Sequence, residues 1–196
     1  MEAEYVVVGA GSGGSAVAFR LAEAGRSVIV VEHGGSDAGP LISMPGALSY
    51  PMNMARYDWG YRTEPEPGLG GRQLAAPRGK VVGGSSSING MVWVRGHPLD
   101  YAAWEAAGAR GWGWRHVAPY FRRIEAWDGP PDGGVRGRDG PVRIRRAEPS
   151  DPLGAAFLQA GVEAGHGLTE DYNGRVQEGV CRLDATIHQG ARWSAA

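Results

Sequence analysis

Residues 4–32 read EYVVVGAGSGGSAVAFRLAEAGRSVIVVE, and this stretch decides the fold. Its opening run, EYVVV (4–8), is β-branched and ends in glycines, which reads as a buried parallel strand. A helical apolar pattern follows from about Gly14 to Ala24, with Ala16, Val17, Phe19, Leu21 and Ala22 on its apolar faces. Gly25 stops it, and SVIVVE (27–32) forms a second buried strand. Strand, glycine turn, helix, glycine and strand in about 30 residues make one βαβ unit with a right-handed crossover. The predicted fold class is therefore α/β, with a Rossmann-like dinucleotide-binding domain.

The turn inside that unit, Gly9-Ala10-Gly11-Ser12-Gly13-Gly14, satisfies G-x-G-x-x-G. In a chain with 33 glycines the string alone says little; its setting after a strand and before a helix gives it weight. Gly9 allows the tight turn, Gly11 lets the backbone approach a pyrophosphate, and Gly14 lets helix and strand pack closely. Ser12 and Gly13 complete a helix start whose N–H groups would hold phosphates. Glu32, at the end of the second strand, would accept hydrogen bonds from ribose hydroxyls and disfavours a 2′-phosphate. This reading leaves FAD and NAD both open.

Composition narrows the class. A net charge of −1 gives no basic surplus for nucleic acid or an anionic membrane. The 33 Gly and 13 Pro point to many tight turns, not to a helical bundle. Cys181 is the single cysteine, which excludes an intramolecular disulfide, fits a reducing compartment and has no neighbour at metal-ligand spacing. The N-terminus lacks a basic n-region and its apolar run is too short for a signal or a membrane span, so a soluble cytoplasmic protein is expected.

Downstream, residues 34–84 are broken by Pro and Gly into pieces such as MPG (44–46) and TEPEPG (63–68), a length of irregular chain that is usually functional or wraps another element. Helices are predicted from Asp100, as N-cap, to Ala107, from Arg115 to Glu125, and from Asp151-Pro152 to about Ala164. Residues 127–140 read as a loop, and PVRIRR (141–146) as an exposed-edge strand. Glu105, Glu125 and Glu163 fall in helical patterns and read as solvated. Six of the seven Trp read as packing residues; Trp93 is the exception because it follows the second glycine motif.

That motif is RGKVVGGSSSINGMVWVRG (78–96). Gly83 and Gly84 remove side chains where the backbone must pass close to a ring system or a phosphate, and Ser85 to Ser87 supply hydroxyls and successive N–H groups. The stretch resembles the first signature of the glucose-methanol-choline (GMC) oxidoreductases, flavoproteins that oxidise alcohols, and most closely the choline- and alcohol-dehydrogenase-like members. YDWGYRTEPEPG (57–68), GHPLDYAAW (96–104), GWGWRHVAPYFRRIE (111–125), GPVRIRR (140–146) and GARWSAA (190–196) resemble their family counterparts in the same order, so the likeness covers essentially the whole chain.

The resemblance implies FAD as cofactor and hydride transfer from a small-molecule alcohol to the flavin. It implies an FAD-binding domain over 1–126 whose segment 34–84 covers the flavin, a loop over 127–140, and over 141–196 the start of an α+β substrate-binding domain. Residues 82–92 would run along the ribityl chain and isoalloxazine. The implied contacts are Gly9, Gly11, Ser12, Gly13, Gly14, Glu32, Arg78, Val82, Gly84, Ser85, Asn89, Gly90, Met91 and Val92, with Lys80 readable as a solvated charge. Some members attach FAD through a His just before the motif's Asn; Ile88 stands there, so non-covalent FAD is expected.

The family's catalytic His pair lies far downstream, and His33, His97, His116, His166 and His188 do not match it, so no catalytic residue is assigned. The chain reads as the N-terminal, FAD-binding half of a longer enzyme, with an incomplete Rossmann sheet. Alone, it is expected to bind FAD weakly, to aggregate and to oxidise no alcohol. A stand-alone FAD- or ADP-binding module, and one half of a split enzyme completed in trans, are the alternatives.

Overall fold

The computed structural model describes residues 2–148 and 151–196; Met1, Pro149 and Ser150 lie outside the described residues. The chain forms two compact units, Met1–Met91 with Gln189–Ala196, and Val92–His188. These limits differ from the sequence boundaries at 126 and 140, because the segment after Met91 packs with later residues of its own unit.

The first unit opens with the βαβ element. Strands β1 (Tyr5–Val8) and β2 (Val28–Val31) pair in parallel, with Tyr5 opposite Val28 and Val8 opposite Val31. Helix α1 (Ser12–Glu23) joins them. It ends at Gly25 (φ +75°), where Gly25 N donates to Ala22 O at 2.9 Å and Arg26 N to Leu21 O at 3.0 Å. That double closure satisfies the last carbonyls and needs the left-handed residue that glycine supplies most easily.

The strands are not buried as their composition predicts: Val6 is 60% exposed, Val8 84% and Val31 50%. A two-stranded sheet has two free edges, and α1 alone cannot cover both of its faces.

The core of this unit comes instead from the irregular segment. Helix α2 (Pro40–Ser43) and short 3-10 turns place Ile42 against Tyr57, Val81 and Ile88, with Leu41, Met52 and Met54 packed around them. Between these residues the chain makes an arm, 58–79, held by isolated antiparallel bridges Asp58–Gly79, Arg62–Ala75 and Glu66–Arg72. Residues 59–75 of the arm are exposed. Strand β7 (Ala191–Arg192) returns to this unit.

The second unit contains α3 (Pro98–Ala106), α4 (Trp114–Ile124), β3 (Glu125–Trp127), β4 (Val142–Arg146), α5 (Pro152–Glu163), β5 (Asp184–Ala185) and β6 (Ile187–His188). Asp100 is not the N-cap of α3. His97 caps it, accepting from Leu99 N through Nδ1 at 3.1 Å, while Asp100 accepts from His97 N at 3.0 Å. Pro98 fits the first helical position, and the cap lies three residues upstream of the expected one. Asp151 caps α5 as read, accepting from Leu153 N at 2.8 Å.

Strand β4 is central, in the order β3-β4-β5, and Ile144 is 1% exposed, so the expected edge strand is an interior one. Glu125 corrects a second expectation. It leaves the end of α4 fully buried, accepting from Trp93 Nε1 (2.7 Å), Arg95 Nε (2.9 Å), Arg95 Nη2, Arg136 Nε (3.1 Å) and Gly137 N (3.1 Å). Arg136 also meets Asp171 (2.8 Å) and Asp184 (3.0 Å), and Arg146 meets Asp184 at 2.9 Å. Both guanidinium groups lie over the ring of Trp127, itself 3% exposed. Buried ions persist only when paired and hydrogen-bonded, and this cluster supplies both. Among the described residues no helix is long and apolar enough to cross a membrane.

Candidate cofactor site

The first unit brings its two glycine segments together at the start of α1. Gly11, the N-cap residue, forms a parallel bridge with Gly83, and Gly83 N donates to Ala10 O at 2.8 Å. The chains cross so closely that a Cβ on Gly84 would stand 2.8 Å from Gly11 Cα. A Cβ on Gly14 would stand 1.9 Å from Gly9 O and 3.3 Å from Val7 Cγ1. Position 14 therefore makes the tight helix–strand approach read from the sequence.

No side chain caps α1 and no acidic residue occupies its first turn. The positive end of the helix dipole thus stays available to an anion, flanked by exposed Ser12 and Gly13. Glu32 is half-buried and ties the end of β2 to the turn: Oε2 accepts from Ala10 N and Oε1 from Gly34 N, each at 2.7 Å. Each oxygen keeps a second lone pair for a further donor.

The second segment is laced to its surroundings through its backbone. Val82 N donates to Gly35 O at 3.0 Å, and Val82 O accepts from Ser87 Oγ at 2.7 Å. Ser85 Oγ accepts from Gly79 N at 3.1 Å, and Ser85 O from Asn89 N at 2.9 Å. Asn89 and Gly90 are exposed. Met91 is 3% exposed with φ +60°, so its side chain is withdrawn and only its backbone can serve a ligand.

Arg78 lies at the base of the arm, its N donating to Asp58 Oδ1 and its Nη1 to Pro77 O, both at 2.7 Å. Lys80 is not simply solvated: its Nζ lies 5.6 Å from the Trp59 ring centroid. Val92 belongs to the second unit, where its backbone bridges to Ala185. The other expected contacts all fall in the first unit.

Ile88, at the position where a covalent flavin link would require His, is 2% exposed and part of the apolar core. His33 stacks on Trp59 at 5.0 Å, His97 caps α3, and His116 lies 3.7 Å from Glu105. Cys181 is half-buried, and burial pushes its thiol above the ordinary cysteine range.

Sequence reasoning missed Arg192, which donates to Ser86 O, Asn89 O and Asn89 Oδ1 from β7. The available signal was a lone cation among small and apolar residues in GARWSAA.

Comparison with known proteins extends this geometry. A family model described as GMC oxidoreductase matches residues 3–196. An oxygen-dependent choline dehydrogenase of Brucella anthropi is 59% identical over 197 residues, spanning 100% of this chain and 36% of that protein. Among solved structures, pyridoxine 4-oxidase from Mesorbium loti superposes with a TM-score of 0.92 at 37% identity, over 100% of this chain and 38% of that one. A formate oxidase of Aspergillus oryzae RIB40, described for the effect of a mutation on its FAD modification, gives 0.88 at 30% identity over 98% and 36%. The chain spans little more than a third of the length of these relatives.

Proposed function

This chain belongs to the GMC oxidoreductase family, and we propose that it forms the FAD-binding part of an enzyme that oxidises a small alcohol to a carbonyl. The observation that carries the proposal is the crossing of Gly83 and Gly84 over Gly11 at the uncapped start of α1. A Cβ at position 84 would close that cradle, and no carboxylate in the first turn opposes an anion, so the residues present fit a dinucleotide.

Gly9, Gly11, Ser12, Gly13 and Gly14 would hold the pyrophosphate, and Glu32 the adenosine ribose. Val82, Gly84, Ser85, Asn89, Gly90 and Met91 would line the ribityl chain and ring, with Arg78 at the margin. Bound FAD supplies the hydride acceptor. The residues of this chain orient it and hold its charge; none of the five histidines is proposed to take the alcohol proton. Burial of Ile88 in an apolar core supports non-covalent attachment. Choline is the substrate class favoured by the 59% relative.

Titration of the full chain with FAD, read by flavin fluorescence, tests the proposal: FAD is expected to bind in preference to NAD and to be released on acid denaturation. Equal affinity for NAD, or no uptake of FAD, overturns it. Flavin that stays with the denatured chain overturns non-covalent attachment alone. Exposed valines on β1 and β2 support weak binding and self-association of the isolated chain, with no dye reduction by alcohols.

A further inference from the structure

Arg192 is 8% exposed, and no carboxylate side chain pairs with it among the described residues. Its Nε donates to Ile42 O at 3.0 Å. Its Nη1 donates to Ser86 O (3.2 Å), Asn89 O (2.7 Å) and Asn89 Oδ1 (3.0 Å). Its Nη2 is buried without a partner among the described residues. Burial pushes the guanidinium below the ordinary arginine range, and no carboxylate among the described residues offsets that burial. Such a group is costly, and main-chain carbonyls offset only part of the cost.

Every acceptor except Ile42 O belongs to the loop 86–91. Asn89 Oδ1 accepts from Arg192 and also from Met91 N at 3.0 Å. Two donors on one atom fix which end of the amide is oxygen. The oxygen is held toward Arg192, and Nδ2, which makes no hydrogen bond among the described residues, is left as a spare donor on an exposed residue. The same loop holds Met91 in the left-handed region, a conformation that persists in a non-glycine residue only when its surroundings enforce it.

We infer that Arg192 is a positioning residue of the flavin site: by holding Asn89 Oδ1 it turns the Asn89 amide so that Nδ2 donates to the flavin. The inference rests on the FAD reading given above. Arginine suits the task because one planar fork reaches Ile42 O and Asn89 together, which a lysine ammonium cannot do.

The test is a double-mutant cycle on the full chain, with FAD affinity read by flavin fluorescence and the thermal midpoint of each variant recorded beside it. R192M and N89A are each expected to weaken FAD binding about tenfold, and the double variant to bind no more weakly than N89A, because both changes act through one amide. A purely structural role for Arg192 gives losses that multiply, to about a hundredfold in the double variant, and overturns the inference. Wild-type affinity in R192M, or in N89A, also overturns it while leaving the FAD reading intact. A wild-type chain that takes up no FAD overturns both. If R192M does not fold, R192K carries the same cycle with the charge retained and the fork lost.

Discussion

A methyl group added at position 14 would meet Gly9 O at 1.9 Å, and backbone cannot swing aside as a flexible side chain can. G14A should therefore force α1 away from β1, lowering stability by about 1–3 kcal/mol in urea unfolding and weakening FAD binding. This position was legible because the fingerprint demands a glycine wherever helix and strand must touch. Glu125 was not legible. Helical spacing places it at the end of an amphipathic segment, and only the arrival of Arg95 and Arg136 buries it. E125Q would turn an amide donor toward arginine donors and leave buried positive charge uncompensated. It should cost about 3–5 kcal/mol in chemical denaturation. Tyr172, beside Glu125's network, yields a pH prediction. Its hydroxyl donates to Trp93 O at 2.6 Å, and burial pushes its pKa up to about 12. The unfolded chain ionises this group near pH 10 while the folded chain keeps its proton, so its contribution is complete below about pH 10 and is lost as pH rises toward 12. Phenolate absorbance should show one tyrosine titrating late, and Y172F should remove the corresponding drop in stability.

The elements divide according to whether local signals specify them. The βαβ unit and the cap of α5 follow from spacing, a terminal glycine and an N-cap aspartate. Two-residue strands such as β5 and β7 carry no periodicity, so nothing in their sequence announces them. Strand β4 alternates like an edge strand but is covered because β3 and β5 flank it, a tertiary fact. The arm 58–79 was legible as irregular chain but not as a paired excursion, since isolated bridges leave no pattern in composition. With residues 59–75 exposed and few ladder bonds, the arm should open at low cost. Limited trypsin digestion followed by mass spectrometry should find first cuts after Arg62 or Arg72, well before any after buried Arg95 or Arg136.

At the scale of the whole molecule, the α/β class was legible from residues 4–32, whereas the division into compact units was not. Contacts made by the closing residues through Arg192 join positions 100 or more apart in sequence, and no local pattern encodes them. This arrangement has a consequence for vectorial synthesis. Residues 92–188 are continuous, so the second unit has all of its chain once residue 188 leaves the ribosome. The loop 86–91 emerges much earlier, yet waits for residue 192 before its carbonyls acquire their donor. Long-range closure is slow for entropic reasons, and here its timing is also set by translation. Chains truncated at residue 188 should show rapid amide exchange at Asn89 and Met91, and chains that extend to residue 196 should not.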